Sequence, residues 1–106
     1  MFRRILLCLI LSYSNFVGAY EISEFVKISQ IRPTGGGTVY LHLNAPAICA
    51  STVLTIDTTA AGGKEMYSAT LTAAAANKYI KFETWGVCAA NGGWGTQIGG
   101  LYVQFD

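Results

Sequence analysis

The residues best equipped for chemistry in this chain are two late cysteines, one histidine and a set of aromatic side chains. Cys49 and Cys88 lie 39 positions apart. A thiol pair makes a disulfide, binds a metal or stays as two buried free thiols. The metal reading lacks neighbours, since no further Cys or His lies close by in the sequence and the chain has a single histidine, His42. An even pair in a small exported domain reads first as a disulfide. His42 has no partner sequence for nucleophilic catalysis, because no G-x-S-x-G elbow is present. Gly62-Gly63-Lys64 is followed by Glu65 and not by Ser or Thr, so it is a loop and a helix start, with no phosphate cradle. The six acidic residues form no recognisable glycosidase motif, which leaves a small hydrolase only as a minor alternative.

The aromatic residues carry more. Tyr40, Tyr79, Trp85 and Tyr102 are expected on strand faces opposite the core, and Trp94 sits in a glycine-rich loop with Asn91. Exposed rings stack on sugar faces or on protein partners, and a neighbouring amide supplies hydrogen bonds. The competing reading is structural: the rings pack beneath a helix or fill a subunit interface, and Trp94 folds back on the disulfide. The candidate ligand-binding residues are therefore Trp94, Asn91, Tyr40 and Trp85.

Strands must present these rings. Glu24 to Ile31 is rich in β-branched and aromatic residues and reads as a first strand, stopped by Arg32-Pro33-Thr34 and three glycines. Thr38 to Leu43 alternates, with Val39, Leu41 and Leu43 on one face and Thr38, Tyr40 and His42 on the other. Asn44 to Ser51 is a loop. Thr52 to Asp57 alternates again, with Leu54 and Ile56 opposite Val53 and Thr55. Lys64 to Asn77 reads as a helix whose inner arc runs through Met66, Tyr67, Ala69, Thr70, Leu71, Ala73 and Ala74. Its outer face is small and nearly uncharged, either a quiet surface or a second packing face. Lys78 to Trp85 returns to period two, with Ile80, Phe82 and Thr84 inward. After a loop from Gly86 to Gly95, Thr96 to Phe105 closes the order, with Leu101, Val103 and Phe105 on one face and a bend at Gly99-Gly100.

The N-terminus has its own pattern. Met1-Phe2-Arg3-Arg4, the apolar run Ile5 to Leu11 and the small-residue site Val17-Gly18-Ala19 make a secretory signal peptide over residues 1–19. The apolar run is too short to span a membrane. Cleavage leaves one domain, residues 20–106, which has lost Cys8 and carries one more acid than base. The whole chain has a formal charge of +1 over 106 residues. Neither balance suits a nucleic-acid partner, which calls for a clustered basic excess. The expected location is secreted or periplasmic, with no cofactor, no metal and no membrane span.

The order of three strands, a helix and two strands resembles the oligonucleotide/oligosaccharide-binding (OB) fold, a five-stranded Greek-key barrel. Residues 63–68 (Gly-Lys-Glu-Met-Tyr-Ser), Leu71 to Ala74, Tyr79 to Phe82, the Gly86-Val87-Cys88 turn, residues 93–96 (Gly-Trp-Gly-Thr) and the Ile98 to Phe105 strand carry a narrower likeness. They resemble small exported bacterial proteins related to the pentameric B subunits of toxins such as subtilase cytotoxin. The resemblance implies a mainly β fold with one helix in a small OB-like barrel, a ring of five and glycan binding on a barrel face or rim. It carries over no individual sugar-contacting residue. The expected activity is non-catalytic binding of a glycan, with an exported protein-binding inhibitor or envelope accessory protein as the alternative.

Overall fold

The structure, a computed structural model, describes residues 20–105. The expected signal peptide, residues 1–19, lies outside the described residues. Seven strands and one α-helix follow in the order β1 (Glu21–Ile22), β2 (Ile28–Pro33), β3 (Thr38–Leu43), β4 (Val53–Asp57), α1 (Gly63–Ala75), β5 (Ile80–Thr84), β6 (Thr96–Gln97) and β7 (Gly100–Val103). A short 3-10 turn, Ile48–Ala50, precedes β4. The fold is mainly β with one helix. Its strands form a four-stranded sheet, β2-β3-β4-β6, and a three-stranded sheet, β1-β5-β7. The ladders form these two sheets and do not close into one five-stranded barrel.

Two chain runs pass from sheet to sheet. The N-terminal run pairs with β5 through β1, touches it again at the Val26–Ile80 bridge, and then pairs with β3 through β2. The first strand is thus split and displaced from its expected span, and β2 extends through Pro33 at its end. The C-terminal run pairs parallel to β4 through β6 and antiparallel to β5 through β7. The break falls at Ile98-Gly99, beside the bend expected from the glycine pair. Parallel pairing of β4 with β6 became available once the helix carried the chain back across.

Burial follows the alternation where one face is open. In β3, Val39, Leu41 and Leu43 are buried while Thr38, Tyr40 and His42 are half-buried. Ile80, Phe82 and Thr84 of β5 point inward as expected. β4 departs from the expectation, because Val53 and Thr55 are buried along with Leu54 and Ile56. Being central, β4 lies between β3 and β6, and its outer face is covered as well. The core gathers Val26, Leu41, Ile48, Leu54, Ile56, Phe82 and Ile98 with their neighbours. Burial of such side chains contributes roughly 25 cal/mol per Å² of apolar surface.

Helix α1 packs on β4, β7 and β2. Thr70 and Ala73 are buried, whereas Leu71, expected on the inner arc, is exposed at its margin. The buried Thr70 hydroxyl donates to the Met66 carbonyl, so its polarity is satisfied within the helix. Asn77, in the left-handed region at φ 55, ends the helix. The Lys78 amide donates to the Ala73 carbonyl and the Asn77 amide to that of Ala74, the paired bonds of a Schellman cap. At the other end Gly63 lies against the Asp57 carbonyl, in a space that admits no Cβ. Phe105, expected inward, is 64% exposed, one residue beyond the last bond to β5's run, from the Gln104 amide to the Tyr79 carbonyl.

Candidate functional site

The predicted pair Cys49–Cys88 forms a disulfide, with S–S 2.00 Å and Cα–Cα 5.7 Å. It ties the 3-10 turn to the loop 86–95. Gly93 (φ +82) lies so close to Cys49 that an added Cβ would stand 2.6 Å from the cysteine's own Cβ. Thr96 Oγ1 donates to the Gly93 carbonyl and accepts the Ala89 amide, which holds the far side of the loop. The Glu21 carboxylate accepts the Cys49 amide at 2.7 Å. Glu21 and the two sulfurs have ligand atoms within 4.8 Å of one another. Sulfurs bonded to each other offer no thiolate, so this cluster is a loop anchor.

This anchored loop delivers Trp94. Its ring centroid lies 5.6 Å from that of Tyr40, at a tilt of 40°. Trp94 stands two residues before β6 and Tyr40 belongs to β3, with β4 between these two strands. The indole therefore reaches a ring two strands away, across β4, whose Val53 and Thr55 are buried between β3 and β6. Thr55 donates its hydroxyl to the Gly95 carbonyl at 2.8 Å. On the other side of Tyr40, the Arg32 guanidinium carbon stands 4.5 Å from the ring centroid. Asn91 takes a left-handed turn position at φ 62 in the same loop. Its side chain makes no hydrogen bond among the described residues. Thus Tyr40 and Trp94, two of the sequence candidates, meet.

Trp85 belongs to a separate group on the outer face of the three-stranded sheet. The ring of Tyr20 packs on it at 4.3 Å between centroids. Tyr20 donates its hydroxyl to Glu83 Oε2 at 2.7 Å, and Tyr102 donates to the same oxygen at 3.3 Å. The Glu83 carboxylate pushes the Tyr20 phenol up to about 12, mainly through that hydrogen bond. Lys81 Nζ stands 5.0 Å from the ring centroids of both Tyr102 and Phe25. Two glycines make room for this group. An added Cβ at Gly99 would stand 2.7 Å from Trp85 Cδ1, and one at Gly100 would collide with the Glu83 carboxylate. The Cδ1–Nε1 edge of the indole thus comes close to a backbone that has no side chain in the way.

A cavity of about 280 Å³ opens beside the indole, lined by Thr84, Trp85, Gly86, Val87, Gln97, Ile98 and Gly99. Trp85 is 65% exposed. The Thr84 hydroxyl donates to the Gln97 carbonyl, joining the two walls. This arrangement offers a flat apolar face, amide groups and hydroxyls around a concave space. It has the makings of a site for a polar ligand with one apolar face.

Sequence reasoning found Trp85 but missed Tyr20, Glu83 and Gln97. The alternation of β5 already places Glu83 on the same outward face as Trp85. Tyr20 carries no such signal, since it sits at the expected cleavage boundary, before any periodic segment. Compared with protein-family models, with curated proteins and with solved structures, the chain matches none.

Proposed function

We propose that this chain is an exported, non-catalytic glycan-binding module built as an OB-like barrel of the toxin B-subunit kind. The observation that carries the proposal is the exposed Trp85 indole, close to Gly99 and lining the 280 Å³ cavity together with Thr84 and Gln97. A sugar ring laid on the indole buries its C–H face, while its hydroxyls reach the amides of the cavity. The barrel reading draws support from strand order. Taking β1 with β2 and β6 with β7 as two long bent strands gives the cyclic neighbours β1/β2, β3, β4, β6/β7 and β5. The Val26–Ile80 bridge stands where the cycle would close. Export follows from the leader-like residues 1–19 and suits the disulfide.

The test is a glycan array probed with the protein as secreted, followed by titration of the retained sugar. Trp85→Ala is expected to weaken binding at least about tenfold through loss of the stacking face. Trp94→Ala, on the other aromatic group, should leave it unchanged. An array without a retained glycan, or a Trp85→Ala protein that binds like the parent, would overturn the proposal. Sedimentation equilibrium checks the ring of five: a monomer would remove the B-subunit assembly from this reading.

A further inference from the structure

The backbone of β7 has a free side. Ile80 exchanges amide and carbonyl bonds with Val26, and the Phe82 carbonyl accepts the Ser23 amide. The polar backbone groups of Ile80 and Phe82 therefore face the N-terminal run. Those of Lys81 must then face β7, where Lys81 stands opposite Tyr102. The Gln104 amide bonds to the Tyr79 carbonyl in the same phase. By the alternation of an antiparallel ladder, the amides and carbonyls of Leu101 and Val103 point away from β5. They meet no backbone partner among the described residues, because β7 is an outer strand of its sheet.

That edge borders a groove. A space of about 390 Å³ separates β7 from the first turns of α1, lined by Gly99, Gly100 and Leu101 on one side and Ala61, Gly62, Glu65, Met66 and Ala69 on the other. Small residues on both walls allow another backbone to come close, and Met66 and Leu101 supply an apolar floor. Glu65 is the one charged residue in the lining.

Outer strands are normally guarded by charge, proline or shortness. β2, one outer strand of the other sheet, ends in Arg32 and Pro33, and the outer strands β6 and β1 have only two residues each. β7, Gly-Leu-Tyr-Val, has neither charge nor proline.

We propose that this groove takes an extended segment of a partner protein, which adds as a strand to β7 and places a basic side chain near Glu65. Main-chain bonds to Leu101 and Val103 hold the segment, while Met66 and Leu101 take its small or apolar side chains. A second copy of this chain is a poor occupant, because its own β7 carries no basic residue to meet Glu65 and its β2 ends in proline.

The experiment follows hydrogen exchange at individual amides of the intact secreted protein, with and without a synthetic hexapeptide of alternating Val and Lys. Exchange at Leu101 and Val103 is expected to slow about tenfold or more at saturation, while the Lys81 amide is unaffected. A Val–Glu hexapeptide should bind several-fold more weakly, and Glu65→Lys should reverse that preference. Leu101→Pro removes one groove-facing donor without touching the β5 ladder, and should weaken the peptide about tenfold. If that variant does not fold, Ala69→Trp fills the groove from the helix side and should have the same effect. Unchanged exchange at both amides would overturn the proposal. So would protection that follows protein concentration in place of peptide, since the occupant would then be a second copy. Trp85→Ala should leave peptide binding intact, which separates this groove from the glycan site.

Discussion

Glu83 accepts two phenols on one oxygen, and that single residue ties Tyr20 and Tyr102 to the Trp85 group. The hydrogen bond to its carboxylate, then desolvation and charge, raise the Tyr20 phenol from 10.0 to about 12. A folded value above the unfolded one means that this contact contributes fully below about pH 10 and is lost as pH rises through about 12. Ultraviolet titration of phenolate is therefore expected to show one late tyrosine. Glu83→Gln should return it towards 10, and titration at its ordinary value in the parent protein would remove Glu83 from this role. Asp57 shows the opposite direction: the Thr59 hydroxyl, then the Thr59 amide, hold its carboxyl below the usual range. Its contribution is present at neutral pH and lost as pH falls through the lowered value. At this scale the sequence was partly legible. Period two in β5 places Glu83 beside Trp85, but nothing local brings Tyr20 to a residue 65 positions away, because that pairing depends on the β1–β5 register.

Elements here end where backbone conformation requires it. Asn77 tolerates the left-handed conformation at φ 55 better than most residues, but glycine adopts it without a Cβ penalty. Asn77→Gly is thus expected to stabilise the protein by up to about 1 kcal/mol in urea unfolding, with an unchanged m-value. Gly93 is the reverse case. Its φ of +82 and its contact with Cys49 leave no room for a methyl group, so Gly93→Ala should cost about 2–4 kcal/mol. A loss below 1 kcal/mol would mean that the loop shifts freely. The helix and the strand alternation were readable from the residues, because each face repeats at its own period. The burial of Val53 and Thr55 was not, since β4 becomes a central strand only through its pairing with the distant β6.

Across the whole molecule, the disulfide joins segments that the sheets alone leave loosely tied. Closing a loop with a separation of 39 residues contributes about 4 kcal/mol in the chain-entropy account. The Cys49→Ser, Cys88→Ser double variant should lose about that much by urea unfolding, a large share of a small domain's stability. It should also weaken the Tyr40–Trp94 contact more than the Trp85 group, because the released loop carries Trp94. Equal loss of order at both aromatic groups, read from their side-chain NMR signals, would contradict this division of the surface. Among the described residues no helix is long and apolar enough to cross a membrane.

The sequence by itself determined the mainly β class, the single helix, the inward faces of β3 and β5 and the cysteine pair. These follow from local periodicity, turn residues and the arithmetic of two thiols. Tertiary structure decided that the N-terminal and C-terminal runs each supply a strand to both sheets, that Phe105 and Leu71 stay outside, and that the aromatic residues separate into two groups. It also left one edge of β7 open beside α1. Those outcomes depend on which distant segments hydrogen-bond, and a period along one segment carries no information about its partner.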